Sequence, residues 1–465
     1  MVTRELPPGF LWGSATAAFQ IEGSTAADGR SDSIWDVFCR VPGTIIDGAT
    51  GEPAIDHYRR MAGDVALMAE LGLRSYRFSV AWPRVRPGGG PVNERGLDFY
   101  RRLVDELLAH DIVPWVTLYH WDLPQALEDA GGWPARETAF RFAEYADTVY
   151  GALGDRVPYW TTLNEPFCSA LLGYASGEHA PGRTDPRAAV AAVHHLLLAH
   201  GLGVQAIRAR NPDATVGITL NFAPVVPLDP DDPDDVEAAR RIDGLQNLLF
   251  VEPVLRGAYA PGVLGDLGPY GLVDRIRDGD LAVISEPVDL LGVNYYLGNT
   301  VSVQPQEPAP DLDVVTPNPP GSPWVGAEEV AFHKVGRPVT GQGWEIYPEG
   351  LTELLTWLGK EYPGVPMYVT ENGAAFPDRI VDGRVHDPDR VAYLASHLDA
   401  VADAIDAGAD VRGYFYWSMF DNFEWAWGYG QRFGLVYVDF ETQQRIVKSS
   451  GRWYAELIAS SAGQG

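Results

Sequence analysis

The sequence predicts an α/β fold built on a parallel sheet, and three observations predict it. Eight strand-like segments are spread along the 465 residues, helical runs separate most of them, and polar residues collect at the C-terminal end of nearly every one. Eight such units either close as a (β/α)8 barrel or open as a large doubly wound sheet. Typical domain size would suggest about three domains. Barrels run past that rule, and no linker interrupts the strand-helix units, so residues 1–465 are expected to form one domain.

The first strand is expected over 10–19, where "FLWGSATAAF" leads into Gln20 and Glu22. The second covers 74–82 and carries Arg77. A helix follows, with Leu97, Tyr100, Val104 and Leu107 on one face and Asn93 as its expected N-cap. Strand three, 112–120, runs into His120, Trp121 and Asp122, and strand four, 158–164, into Asn164 and Glu165. Asp185 before Pro186 opens a long helix, as Asp387 before Pro388 opens a later one. Strands five to eight are expected over 214–221, 288–296, 365–371 and 411–419. The sixth ends at Asn294 to Tyr296, the seventh at Glu371, and the eighth leads through Trp417 to Glu424 and Trp425. Gly72 and Gly408 sit where helices should stop.

Three stretches resist this alternation. Gly201, Gly203 and Ala206 match a dinucleotide-type glycine pattern, but they follow the helical "HHLLLAH" and not a strand, so the match is chance. Residues 227–236 and 301–343 are Pro-rich and are expected as rim loops.

A net charge of −28 repels nucleic acid and disfavours an anionic membrane surface. No stretch reads as a membrane span of ~20 apolar residues. Glu5, Pro7 and Pro8 precede too short an apolar run for a signal peptide. Cys39 and Cys168 make neither a metal spacing nor a disulfide framework. A soluble cytoplasmic protein is expected. The 14 tryptophans fit stacking on sugars or bases, and the charge disfavours the latter.

If the strands close into a barrel, their C-terminal ends share one face, the face on which barrel enzymes do chemistry. Each polar residue alone has an ordinary structural explanation: a satisfied core histidine for His120, an ion pair for Arg77, core packing for Trp417. Their recurrence at the same strand end weakens that explanation. Two glutamates at the ends of strands four and seven suggest acid/base work. No H-E-x-x-H metal spacing and no G-x-S-x-G elbow is present, and the adjacent His194 and His195 point different ways on a helix.

Seven motifs in order now carry a resemblance: "GFLWGSATAAFQIEG", "RFSVAWPR", "LYHWDLP", "TLNEP", "GVNYY", "VTENG" and "YWSMFDNFEWAWGYGQRFGLVYVDF". Over residues 8–455 the chain resembles glycoside hydrolase family 1, the β-glucosidase group. The resemblance implies a single (β/α)8 TIM barrel with elaborated βα loops, and retaining hydrolysis of small β-glycosides without metal or cofactor. It implies Glu165 as general acid/base and Glu371 as nucleophile, with Arg77, Tyr296 and Asn294 in the catalytic set. It implies substrate contacts from Gln20, His120, Trp121, Asn164, Glu424, Trp425 and Phe433, a stacking floor at Trp417 with a cis bond to Ser418, and an aglycone wall at Trp344, Cys168 and Leu172. Glutamate at 165, where thioglycosidases carry glutamine, implies an O-glycosidase. Glu424 would repel the phosphate of a 6-phospho-sugar.

The implied substrates are cello-oligosaccharides and aryl or alkyl β-glucosides. Galactosides or fucosides, a transglycosylase with the same site, and a silent sugar-binding protein stand as alternatives. A retaining mechanism requires the two carboxyls ~5 to 5.5 Å apart. Arg77 and Tyr296 are expected to lower the pKa of Glu371, leaving the proton on Glu165.

Overall fold

The structure is a computed structural model, and it describes residues 6–304 and 317–462. Eight strands form a closed barrel: β1 (Leu11–Ala15), β2 (Ser75–Ser79), β3 (Val113–Tyr119), β4 (Tyr159–Asn164), β5 (Thr215–Phe222), β6 (Leu290–Tyr295), β7 (Met367–Asn372) and β8 (Val411–Trp417). Each pairs in parallel with the next in sequence, and β8 closes on β1, with Ala15 opposite Trp417. The open-sheet alternative is therefore excluded. All eight expected strands are present, most of them trimmed by a few residues, while β5 and β7 run one residue past their expected ends. Trp115, Phe415 and Tyr368 pack edge-to-face at centroid distances of 5.1 Å, filling the interior with aromatic side chains.

The differences from expectation lie in the connections. The first strand stops at Ala15, and Ala18–Ile21 forms a helical turn. Alanine-rich sequence suits either state, and the turn is held where the Ala18 N–H donates to the Ser79 hydroxyl at 2.7 Å. Gln20 thus reaches the barrel mouth from a helix, and Glu22 turns away to pair with Arg84 at 2.9 Å. Asn93 occupies the N-cap position without capping; its amide donates to the Asp28 and Arg84 carbonyls. Asp387 likewise precedes its helix but accepts from Ser450. Residues 227–236 are not all loop, since Pro233–Asp243 is a helix capped by Asp232. The stretch 301–343 is not all loop either: Asn299–Ser302 is the middle strand of a small sheet, paired with Val225–Pro227 on one side and with Ala331–His333 on the other; residues 305–316 lie outside the described residues.

The helix Pro186–Arg210 is the longest and shows the expected cap: the Asp185 carboxylate accepts from the Arg187 and Ala188 amides at 3.0 and 3.1 Å. Its composition and length would suit a membrane span, contrary to the expectation that no stretch reads as one. Most of it is buried against the rest of the protein. Gly201 and Gly203 lie inside this helix, which disposes of the phosphate-turn pattern. Asp185→Ala is expected to lower stability by about 1 kcal/mol in equilibrium unfolding and to leave turnover unchanged.

Gly373, just beyond β7, marks a close approach. A Cβ there would come within 1.7 Å of the Trp417 carbonyl oxygen. The ends of β7 and β8 meet there backbone to backbone.

Candidate active site

The strand ends enclose a cavity of about 360 Å³. Glu165, Glu371, Asn294, Tyr296, His120, Trp121, Trp344, Trp417, Glu424, Trp425, Phe433, Cys168 and Leu172 all line it. Arg77, Asn164 and Gln20 stand just behind this wall, fully buried. Arg77 and Asn164 bond directly to lining residues, while Gln20 is tied to the Phe423 carbonyl, next to Glu424.

The register explains the gathering. Glu371 on β7 lies opposite Asn294 on β6, which lies opposite Asn221 on β5. Shifts of register precede Glu371 on β7 and Asn164 on β4; such irregularities re-aim side chains at strand ends. Glu165 follows β4 with φ +46°, Trp121 has φ +77° and Trp425 φ +48°. Non-glycine residues rarely hold this left-handed conformation, and functional sites collect them. The Trp417–Ser418 peptide is cis, as the resemblance implied.

One hydrogen-bonded network ties four strands together. Arg77 donates to Glu371 Oε1 at 2.7 Å and to Asn164 Oδ1 at 2.6 Å. Tyr296 donates to Glu371 Oε2 at 2.7 Å. The Asn294 amide donates to Glu165 Oε1 at 2.6 Å and to Asn164 Oδ1 at 3.2 Å, while its carbonyl accepts from Thr370 at 2.8 Å. Charge-assisted bonds of this kind are the strong ones. They join buried side chains of four strands, so each carboxyl has fixed protein partners.

Other buried polar atoms have no protein partner among the described residues. They include Gln20 Oε1, Glu424 Oε2, His120 Nδ1 and both amide atoms of Gln342. Gln20 is fixed by its own Nε2, which donates to Asn422 and the Phe423 carbonyl. Asn164 Nδ2 lies 3.1 Å from His120 Nε2, so that nitrogen accepts and Nδ1 carries the proton. Burial, reinforced by Arg77, holds His120 neutral. Unpaired acceptors and donors around one hole are what a polyhydroxylated ligand would satisfy. Trp417 supplies an apolar face, with the His120 ring stacked near it at 5.7 Å.

Electrostatics separates the acids. Burial pushes the Glu165 carboxyl up to about 8, helped by the negative charge of Glu371. Burial, with Glu371 and Glu165 adding to it, also pushes Glu424 up to about 8. Glu371 corrects an expectation. Its pKa is raised and not lowered, because burial outweighs the Arg77 charge and the Arg77, Tyr296 and Asn294 hydrogen bonds that pull it back. Those partners, above all the cation, still favour the anion at Glu371, so the proton of the pair rests on Glu165. A protonated acid and a paired carboxylate in one cavity can protonate a leaving group while attacking a carbon.

The chain matches the glycosyl hydrolase family 1 profile over residues 2–462. It belongs to glycosyl hydrolase family 1. The solved psychrophilic β-glucosidase of Micrococcus antarcticus is 55% identical, superposes with a TM-score of 0.96, and is matched over 98% of both chains. Thermostable β-glucosidase B of Thermobispora bispora is 52% identical over 97% of this chain and 90% of that protein. A bifunctional β-D-glucosidase/β-D-fucosidase of Bifidobacterium breve is 46% identical over 98% of this chain and 99% of that protein.

This family 1 hydrolase has further cavity residues that sequence reasoning passed over. Asn221 is the penultimate residue of β5, the one strand for which no polar terminus was singled out, and the same strand-end rule would have found it. Gln342 stands two residues before Trp344, and its polarity inside "TGQGW" was a readable signal. Glu178, pushed up to about 7 by burial, and His179, pushed down to about 3 by burial, also face the cavity. No periodicity marked them.

Proposed function

We propose that this family 1 hydrolase is a retaining β-glucosidase. It releases terminal non-reducing β-D-glucosyl residues from cello-oligosaccharides and from aryl and alkyl β-glucosides, with the whole chain acting as one catalytic unit. The observation that carries the proposal is the asymmetry of the acid pair: Glu371 is held by a cation and a phenol, and Glu165 by a neutral amide and a thiol. Glu371 attacks the anomeric carbon while Glu165 protonates the departing oxygen, giving a covalent glycosyl-enzyme. Glu371 then carries no charge, so Glu165 loses its proton more readily and acts as base toward water. No step calls for a metal or cofactor.

The unpaired atoms of Gln20, His120 and Glu424 bind the outer hydroxyls, Asn164 holds the hydroxyl next to the reacting carbon, and Trp417 lies under the ring. Trp344, Leu172 and Cys168 receive the leaving group. Glucose and fucose are both accepted, a reading that the named activities of the Bifidobacterium breve relative support.

Proton NMR of an aryl β-glucoside digest tests the proposal. The β-anomer of glucose is expected to appear first and the α-anomer only by later mutarotation. First appearance of the α-anomer would exclude retention, and an unchanged substrate would exclude the activity.

A further inference from the structure

The two carboxyl oxygens of Glu165 are engaged differently. Oε1 accepts the Asn294 amide at 2.6 Å, and Thr370 fixes that amide's orientation through its carbonyl. An amide N–H only donates, so a protonated Glu165 carries its proton on Oε2. Among the described residues the hydrogen-bond neighbour of Oε2 is the Cys168 thiol, with Sγ at 3.2 Å. That thiol is buried in the cavity wall one turn after Glu165. A thiol can accept weakly and donate weakly, unlike the amide opposite it.

We propose that Cys168 is a positioning residue whose thiol follows the catalytic proton. It accepts from Oε2–H while Glu165 waits as an acid, and donates to Oε2 once Glu165 is a carboxylate. The inference rests on the assignment of Glu165 as acid/base. In the first step the Oε2 proton passes to the glycosidic oxygen as the bond from that oxygen to the anomeric carbon breaks and the bond to Glu371 forms. The thiol then turns its S–H toward the new carboxylate. In the second step water gives one proton to Oε2 and its hydroxyl to the anomeric carbon, and the electron pair of the ester bond returns to Glu371. The sulfur is again an acceptor.

The other groups facing Glu165 act in fixed directions. The charge of Glu371 favours its neutral form; Glu424, itself pushed up to about 8 chiefly by burial, adds to this only as it ionises; Arg77 and the Asn294 amide favour the anion; the Tyr296 hydroxyl and the His120 ring stay neutral. Burial above all, then the Glu165 carboxyl and the charge of Glu178, keeps the thiol protonated. Only the partner at Oε2 changes its hydrogen-bonding sense during the reaction.

Cys168→Val removes the donor to the carboxylate. The basic limb of kcat/KM is expected to move to higher pH by about half a unit, and Cys168→Ser to return it toward the wild-type position. Loss of a wall contact alone would change KM and leave the limb in place. A valine variant whose limb coincides with wild type would overturn the inference. A second measurement avoids any folding defect of the valine variant. The chain has two cysteines, so Cys39→Ser leaves Cys168 as the single thiol. Its S–H stretching band is expected to shift to lower frequency as pH rises through about 8, where Glu165 ionises, and to stay fixed once Glu165→Gln is added. A band that ignores pH overturns the inference. The two levels of the reading separate cleanly. If Glu165→Ala keeps the basic limb, the acid/base assignment fails; if it loses the limb while Cys168→Val keeps it, only the role of the thiol fails.

Discussion

Glu371→Gly is expected to reduce turnover of β-glucosides by on the order of 10⁵-fold or more. The substitution removes the carboxylate to which Arg77 and Tyr296 donate. Arg77 keeps its bond to Asn164, so the rest of the network persists and the sugar still binds. The space vacated beside Asn294 admits a small anion, and the guanidinium that served the carboxylate attracts it. Added azide is therefore expected to restore reaction of an activated aryl β-glucoside, attacking from the side where the carboxylate stood and giving the α-glycosyl azide. Product analysis by NMR checks this. A β-azide, or turnover that needs no azide, would place the nucleophile elsewhere.

Glu165→Ala is expected to split substrates by leaving group. A poor leaving group needs the proton, and its loss slows turnover by about 10²- to 10⁴-fold. An activated phenol departs unaided, so the glycosyl-enzyme still forms and accumulates for want of a base. Azide then occupies the emptied side and gives the β-glycosyl azide, the opposite anomer from the first variant. The basic limb of the pH profile is expected to vanish as well. The sign follows from the environment: burial and the Glu371 charge hold the Glu165 proton up to about 8, so wild-type activity falls as pH rises past that value. A variant without this carboxyl has no such proton to lose. Stopped-flow bursts and pH profiles with good and poor leaving groups check both statements.

Much of the architecture was legible because a parallel barrel writes itself locally. Apolar runs marked the strands, periodic apolar faces marked the helices, and a polar residue at a strand end marked the mouth. The ambiguous segment was "SATAAF", where small apolar residues suit strand and helix alike and a contact from Ser79 decides. Caps were only half legible. Asp185 does what its sequence context suggests, whereas Asn93 and Asp387 are drawn off by partners distant in the chain.

The site divides in the same way. Residue types at strand ends drew attention to Arg77, His120, Asn164, Glu165, Asn294, Tyr296 and Glu371, whereas Trp344, Cys168, Leu172 and Phe433 came only from the resemblance; nothing local shows that Arg77 reaches Glu371, 294 residues away. The electrostatics needed coordinates most of all. Counting the partners of Glu371 suggests a depressed pKa, and only the depth of the cavity reveals that desolvation prevails. Glu178 and His179 escaped notice because they sit beyond a helix and not at a strand end.

The contact at Gly373 has a consequence for diversification. Because main chain abuts main chain there, the height of Glu371 above the Trp417 ring is an attribute of the scaffold, and under the proposed mechanism so is the reach of the attacking oxygen. Mutations that resculpt the vestibule for new leaving groups leave that height alone. A lineage can thus wander through many acceptor preferences while its reaction stays constant, provided position 373 never acquires a side chain.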